Sequence, residues 1–113
     1  MALSIIQLFS PVQLGTSSAV IYAAPTTPTT AVVKNGRIRL TNTSAVPVPV
    51  TLYVAPSATA SAAANSCMAA QSIAGNAFLD VDVPTLAAGD TLRGLAGTAS
   101  VITVHELGGV LFS

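Results

Sequence analysis

The sequence predicts an all-β protein, a single-domain β-sandwich of jelly-roll type with about eight short antiparallel strands. Ala, Val, Thr and Ser dominate the chain, and the β-branched Val and Thr favour strands. Seven prolines and eight glycines interrupt it at short intervals, as turns between short strands do. No long stretch repeats apolar residues at helical spacing, which also favours a sandwich of two sheets.

The N-terminal segment 1–30 is predicted to hold two strands and a loop, and it is a candidate assembly arm; the sandwich core is assigned to 31–113. The first strand is placed at Ser4–Phe9 and the second at Ala19–Ala23. Two prolines among the threonines of Pro25–Thr30 cannot belong to a central strand. That stretch is therefore expected to be an exposed, extended loop.

The segment Ala31–Asn42 allows two interpretations. Asn35-Gly36 between apolar residues is a strong signal for a β-hairpin turn. The alternative is one long strand bent at Gly36, in which Ile38 and Leu40 face the core. The other parity of that strand then carries the side chains that face solvent: Arg37, Arg39 and Thr41.

Val46–Val54 is the clearest strand, because apolar residues alternate strictly with Pro, Thr and Tyr along it. Pro47 and Pro49 place the beginning of this strand at a sheet edge. Pro56–Ser66 is small and neutral, and is expected to be a loop or one helical turn.

The remaining strands follow from alternation between turns. A turn is expected at residues 74–76 and another at Gly89-Asp90, and Gly108-Gly109 is expected to break the last strand. The predicted strands are Cys67–Ile73, Ala77–Val83, Thr91–Leu95, Ser100–Leu107 and Val110–Phe112.

The low charge of the chain predicts self-assembly. Four basic and four acidic residues give a net charge of zero, and only 7% of residues are charged. A small domain usually covers its surface with more mixed charge than this. Burial of neutral surface against other subunits explains the composition, with a neutral monomeric surface as the alternative. Neutrality also argues against nucleic acid as a partner, because phosphate binding needs clustered Lys and Arg.

Targeting and redox signals are sparse. The start of the chain has no basic region before its apolar residues, and no run of about 18 apolar residues predicts a membrane helix. We expect synthesis in the cytoplasm without a signal peptide, and no contact with membrane. Cys67 is the single cysteine, so no internal disulfide can form, and it is expected to be a small buried hydrophobe.

The candidate site residues are Arg37, Arg39, Asp80, Asp82 and His105. Asp80 and Asp82 share one strand face, where two carboxylates could hold a metal or act as an acid–base pair; a solvated strand face is the favoured interpretation. His105 is expected to be a half-buried structural or interface histidine, and a protonation switch at an interface is the sharper alternative.

Arg37 and Arg39 could bind an anion or a carbohydrate. Pairing with Asp80 and Asp82 across a subunit boundary is preferred, since it matches the neutral charge and would fix an interface register. The chain contains no nucleophile elbow, P-loop or dinucleotide-binding glycine motif. We therefore expect no enzymatic activity, no catalytic residues, no cofactor and no metal.

Several segments share a recurring pattern of strand ends and turns. A strand ending in Asn-Thr-Ser leads into a Val/Thr strand, and a Leu-Ala-Ala-Gly-Asp-Thr turn precedes a closing Val/Thr strand. The pattern is carried by Ala31–Lys34, Ile38–Ser44, Val48–Pro56, Leu86–Ala96 and Val101–Val104. These segments resemble a group of small virion proteins of tailed bacteriophages. The resemblance implies a β-sandwich virion component without enzymatic activity.

Composition and resemblance together predict a structural protein of the virion. The chain is expected to form a homo-oligomer, such as a trimer, and to contact other virion proteins such as the major capsid protein. The leading hypothesis is a capsid decoration or cement protein. The alternatives are a tail, neck or baseplate component, a carbohydrate- or receptor-binding module, and a small hydrolase.

Overall fold

The structure, a computed structural model, describes residues 3–4, 7–27, 31–56 and 63–112. These residues form ten antiparallel strands and one short 3-10 helix, Ala63–Asn65. The strands are β1 (Leu3–Ser4), β2 (Val12–Gln13), β3 (Ala19–Ala23), β4 (Val32–Asn42), β5 (Val48–Pro56), β6 (Ser66–Ile73), β7 (Phe78–Asp82), β8 (Leu86–Ala87), β9 (Asp90–Ala96) and β10 (Ile102–Phe112).

The strands pair in a nested order. The first two strands pair with β10, β3 pairs with β9, β4 with β7, and β5 with its neighbour β6. Two further ladders, β4 with β10 and β5 with β9, join these pairs into sheets. Sheet A has the order β1-β10-β4-β7, with β2 on β10 and β8 on β4, and sheet B has the order β3-β9-β5-β6. This is the arrangement of a jelly roll, so the predicted fold class is confirmed.

The core lies between the two sheets and follows the alternation of the strands. Leu40 of sheet A and Leu52 of sheet B are both fully buried, as expected for residues on the inner faces of a sandwich. A second, smaller cluster contains Ala24, Val33 and Leu86. The other members of the main cluster are Leu14, Ile21, Ile38, Val48, Val50, Ile73, Leu92, Ala96, Ile102 and Val104.

The strand β5 follows its predicted alternation up to Leu52, beyond which Ala55 is buried and Val54 is only partly buried. Val48, Val50 and Leu52 are buried, whereas Val46 lies before the strand and is exposed. Pro49 pairs only with β6, and pairing with β9 begins at Val50. The strand is therefore internal to sheet B, and only its proline-containing beginning has a single neighbouring strand.

Strand β4 runs through Asn35-Gly36, so the hairpin interpretation is wrong and the single strand is correct. Asn35 does adopt the left-handed backbone conformation that a tight hairpin turn requires, with φ of 57°. The chain uses it for a bulge instead. Arg37 lies opposite Gly108 and Lys34 lies opposite Val110, which leaves two residues of β4 against one of β10.

A second irregularity lies on β10. Ile38 pairs with Glu106 and Arg37 pairs with Gly108, so Leu107 is an extra residue in its strand. The predicted break at Gly108-Gly109 is wrong, because β10 continues to Phe112. The two glycines accommodate a bulged strand, since they add no side chain where the ladder shifts.

The two bulges reverse the side-chain parity of both strands. On β4 the even-numbered Ile38 and Leu40 face the core, but beyond the bulge the odd-numbered Val33 is buried. On β10 the even-numbered Val104 is buried, and beyond its bulge Leu111 packs against the small cluster. Without this reversal, Val33 and Leu111 would face solvent, because a one-residue slip turns a strand over.

We predict that Asn35→Val destabilises the protein by about 1–2 kcal/mol, because a β-branched residue is poorly tolerated in the left-handed region. Asn35→Gly is the matched control and should change the stability little, since glycine adopts this conformation freely. Urea unfolding of both variants checks the prediction. Equal stability of the two would contradict a left-handed bulge at this position.

The N-terminal prediction is corrected in part. β1 ends at Ser4, and the described residues of the predicted strand Ser4–Phe9 that follow, 7–9, lie outside any strand. Leu8 and Phe9 instead pack on the core, half-buried. Ile5 and Ile6 lie outside the described residues, as does 28–30 of the predicted loop, while 25–27 is irregular as expected.

The remaining elements agree with the sequence. β3, β6, β7 and β9 occupy the predicted segments to within two residues. The 3-10 helix lies in the segment predicted as a loop or helical turn, of which 57–62 is outside the described residues. β8 and β2 were not predicted, because two-residue strands carry no periodicity. Over the described part of the chain, no helix has the length and apolarity needed to cross a bilayer.

Candidate protein-binding surface

The outer face of sheet A brings four of the predicted site residues into one ladder. Antiparallel pairing of β4 with β7 places Arg39 opposite Asp80 and Arg37 opposite Asp82. His105 of β10 lies opposite Arg39 on the other side of β4. We call these five residues the charged face. They point away from the core because Ile38 and Leu40, at the intervening positions of β4, are buried.

Arg39 and Asp80 form the firmest contact of the charged face. Arg39 Nε lies 2.7 Å from Asp80 Oδ1 and Nη2 lies 3.1 Å from Oδ2, which is a bidentate ion pair. The hydrogen bonds from Arg39 hold the pKa of the Asp80 carboxyl below its usual value, and the charges of Arg39 and Arg37 act in the same direction. The same pair raises the pKa of Arg39. Both side chains are therefore charged and fixed in orientation.

Arg37 and Asp82 are held more loosely. Arg37 Nε lies 3.3 Å from Asp82 Oδ1, and its Nη2 lies 3.8 Å from Asp80 Oδ2. The Arg37 side chain is 57% exposed and that of Asp82 is 88% exposed. Ion pairs this exposed contribute little to stability, because water competes for both groups. These two side chains are free to change partners.

Apolar surface borders the charged face. Phe78, opposite Thr41, is 57% exposed, and the guanidinium carbon of Arg39 lies 4.1 Å from the centre of its ring. Leu107, the bulged residue of β10, is 43% exposed. An exposed aromatic ring beside an arginine is the composition that protein interfaces favour.

The predicted pairing of arginines with aspartates is found, but within one chain and not across a subunit boundary. The reason is the topology, because β4 and β7 are neighbours in the same sheet. Sequence alone does not show which strands are neighbours. His105 is exposed, so the prediction of a half-buried histidine is wrong. The role of all five residues as an interface stays a prediction.

Acidification should weaken the fold through Asp80. The pKa of Asp80 is lower in the folded state than in the unfolded chain, so its ionised form stabilises the fold. This contribution is complete above the pKa of the unfolded state and is lost as the pH falls through the pKa of the folded state. We expect the urea concentration at the unfolding midpoint of the wild type to decrease when the pH is lowered below about 4. Asp80→Asn should remove this part of the pH dependence, whereas Asp82→Asn should keep it. Parallel pH profiles for wild type and Asp80→Asn would contradict the prediction.

Two polar residues at core-facing positions are not among the site residues predicted from the sequence. Asn42 follows Leu40 in the buried parity of β4 and is itself fully buried. Glu106 follows Ile102 and Val104 in the inner parity of β10, and its Oε2 accepts a hydrogen bond of 3.3 Å from the backbone N–H of Leu8. The signal that could have found both is a polar residue at a position that strand alternation assigns to the core.

Glu106 borders a small cavity at one end of the sandwich. The cavity has a volume of about 20 Å³, which is room for about one water molecule. Burial raises the pKa of the neighbouring Tyr22, and the charge of Glu106 raises it further. Leu8 and Phe9 cover this end of the core, and the Phe9 ring centre lies 6.1 Å from that of Tyr22. Arg37 of the charged face also lines this cavity.

Cys67 differs from its prediction. It lies on β6 with its side chain exposed, and was expected to be buried. Partial burial of the sulfur atom nevertheless raises the pKa of its thiol, which disfavours the reactive thiolate. Among the residues that the structure describes, no three His, Cys, Asp or Glu side chains are grouped as they would be around a metal ion.

Comparison with known proteins gives no family. The chain matches no protein-family model, and no curated protein or solved structure is significantly similar to it. The features of the chain from which a function can be inferred are therefore its fold and the charged face with its apolar border.

Proposed function

We propose that this chain is a non-enzymatic structural protein of a bacteriophage virion, a decoration or cement protein that stabilises the capsid through protein–protein contacts. The observation that carries the proposal is the charged face bordered by Phe78 and Leu107. Its charges neutralise one another, and exposed apolar side chains border it. A surface of this kind suits contact with protein, because little charge has to be stripped of water without a partner.

The fold and the composition support the same proposal. Jelly rolls build viral capsid domains, although they also build lectins and cupins, so the fold is an analogy and not a proof of function. The chain carries little charge for its size. A neutral surface rich in β-branched residues suits a protein that stays in contact with neighbouring subunits, because permanent interfaces bury such surface.

In this role the chain acts passively. Each copy binds through a small patch, and the strength of attachment comes from the number of copies on one particle. The sequence segments that resemble tailed-phage virion proteins include the part of β4 that carries Arg39, although Arg37 lies outside them. The partners are the major capsid protein and further copies of the chain.

Copy number on the particle tests the proposal. Quantitative mass spectrometry of purified virions, measured against the major capsid protein, should give copies on the order of hundreds, as avidity over the capsid surface requires. A dozen or fewer copies would move the protein to the tail, neck or baseplate. Complete absence from virions would overturn the structural role.

A binding variant makes this test specific to the charged face. Phe78→Ala should reduce the amount of protein that rebinds to particles lacking it, since a central aromatic side chain carries much of the energy of an interface. Val20→Ala is the matched control, because Val20 is 52% exposed on β3 of the other sheet. Equal rebinding of the two variants would show that another surface attaches the protein.

A carbohydrate-binding role is the second candidate. The observation in its favour is the exposed Phe78 ring beside Thr41, with Thr103 and then Gln13 following across the neighbouring strands at the same level. Hydrogen-bonding side chains beside an exposed ring can bind a sugar. Calorimetry with host polysaccharide tests it, and heat of binding lost in Phe78→Ala but kept in Val20→Ala would establish it in place of the capsid role.

A further inference from the structure

We propose that the charged face is self-complementary, and that a second copy of this chain packs on it face to face about a two-fold axis. The axis runs parallel to β4 and β7 and lies between them. The proposed function has two partners, the major capsid protein and further copies of the chain; this inference assigns the charged face to a further copy, and it rests on that face being an interface. It does not depend on the particle to which the protein belongs.

The register of β4 and β7 selects this axis. Arg39 and Asp80 lie at one level of the two strands, and Arg37 and Asp82 lie at the next. A two-fold axis parallel to the strands exchanges the arginine row with the aspartate row and keeps the levels. Each arginine then lies over an aspartate of the partner subunit.

The other in-plane axis is excluded by charge. A two-fold axis perpendicular to the strands would place β4 over β4 of the partner subunit. Arginine would then face arginine, and aspartate would face aspartate. Like charges brought together at an interface repel one another, so this arrangement is disfavoured. One of the two face-to-face arrangements is therefore attractive at every charged position.

The apolar residue of the ladder fits the same arrangement. Phe78 and Thr41 share a level, so the axis that exchanges the rows places the Phe78 ring against Thr41 of the partner subunit. The ring is 57% exposed in the single chain, and this contact would remove it from water. Sheets packed face to face with nearly aligned strands are common, with about 10 Å between them.

The energetics favour a weak contact. Arg37 and Asp82 can take partners on the second copy without loss of a firm bond, because their pairing in one chain is exposed and loose. Arg39 stays bound to Asp80 of its own chain, and its charge attracts the aspartate row of the second copy. The paired segment of β7 has five residues, or roughly 16 Å of strand, so we expect the contact to bury a small area and to be weak.

A two-fold pair is what this face fits, in place of the trimer expected from the sequence. A closed trimer joins two different patches of each chain, whereas a self-complementary patch joins to itself. His105 lies on β10, on the side of β4 away from the axis, and is therefore at the rim of the contact. Copies crowded on a particle would reach the local concentration that this weak contact needs.

Charge reversal tests the inference in solution. The variants are Arg37→Asp, Asp82→Arg and the double variant that combines them, followed by sedimentation equilibrium at low salt over about 0.01–1 mM, the range of weak interfaces. The wild type should shift from monomer to dimer within this range. Each single reversal should weaken dimerisation at least tenfold. It places like charges at positions 37 and 82 of the two subunits, and the two-fold axis repeats this contact.

Mixing separates the interface from effects within one chain. Each single variant loses the same internal ion pair, so both should remain monomers alone. A mixture of Arg37→Asp with Asp82→Arg should form a heterodimer as strongly as the wild type dimerises, and the double variant should dimerise again. Circular dichroism of each variant checks that the fold is retained, which both exposed positions should allow.

Each outcome is decisive for the inference. Failure of the mixture to recover dimerisation, a strictly monomeric wild type at the highest concentration, or a mass of three chains would overturn it. Recovery in the mixture would establish the face and the axis. A wild type that dimerises in this way but is absent from virions would overturn the proposed function alone, and a virion protein that stays monomeric would overturn the inference alone.

Discussion

Replacing Asn42 with leucine is expected to destabilise the protein by about 3–5 kcal/mol, a large part of the stability of a small domain. Asn42 Nδ2 donates to the backbone oxygens of Val46 at 2.8 Å, Ile73 at 3.0 Å and Ala74 at 3.3 Å. Its Oδ1 accepts from the backbone N–H of Ser44 at 2.9 Å and from the Ser44 hydroxyl at 2.8 Å. Leucine has a similar shape but can satisfy none of these groups.

The position of Asn42 explains why the cost is large. It lies at the end of β4 with no exposed surface, and its side chain joins the turn after β4 to the turn after β6. Buried backbone oxygens that lose a donor pay their full desolvation cost. The Asn-Thr-Ser segment at this strand end is therefore structural, since the asparagine links two turns that are about 30 residues apart in sequence.

Urea unfolding of three variants tests this account. Asn42→Asp should be at least as damaging as Asn42→Leu at neutral pH, because a carboxylate only accepts and would face carbonyl oxygens. Thr43→Ala is the matched control. It removes one exposed hydrogen bond of 3.0 Å to Val101 O, and should cost about 1 kcal/mol or less. A loss below that of Thr43→Ala in both Asn42 variants would disprove the linking role.

The Gly75→Ala substitution is expected to cost about 2–3 kcal/mol, through overpacking of the same two turns. A methyl group on Gly75 would overlap the carbonyl group of Ala45 and would lie 3.0 Å from the backbone nitrogen of Val46. The obstruction is backbone, so no side-chain rotation can relieve it. The hydrogen bond of 2.9 Å from Asn76 N to Ser44 O, which holds the turns together, would have to lengthen.

Gly15→Ala is the matched control for Gly75→Ala. A methyl group on Gly15 would meet no atom within 4 Å, so this variant should be neutral or more stable by about 0.4–1 kcal/mol, because alanine restricts the unfolded chain. Thermal melts of the two variants measure the difference. Similar melting temperatures would show that the turns can move apart without cost.

Much of the fold could be predicted because the strands alternate cleanly. Val48, Val50 and Leu52 share one parity and are buried together, and Ile38 and Leu40 do the same on β4. Period-2 patterns of this kind reflect one buried face and need no knowledge of strand neighbours.

The bulges could not be predicted, because their local chemistry is the same as that of turns. Asn35-Gly36 has the left-handed preference of a hairpin turn, and the structure uses it within a continuous strand. Gly108 and Gly109 likewise read as a break. The choice between turn and bulge is made by strand pairing over long distances in sequence, since only β10 opposite β4 gives the extra residues a place.

The pairing of the arginines with the aspartates was predicted, but it was expected across a subunit boundary and is found within one chain. The role of these residues as an interface stays a prediction. Their union in one sheet depends on the order of strands, which charge and periodicity do not encode. The exposure of Phe78 was not predicted, because the pattern shows which face the side chain occupies and not how much water reaches it.

The nested pairing of the strands has a consequence for synthesis on the ribosome. The central ladder of sheet A joins Asn42 to Ile102 and Val32 to Phe112, so it cannot close until the last of these residues has left the exit tunnel. Long-range pairing of this kind makes folding slow, typically milliseconds to seconds. The emerging chain therefore waits with its inner face uncovered, and at high expression that interval is when nascent copies would aggregate.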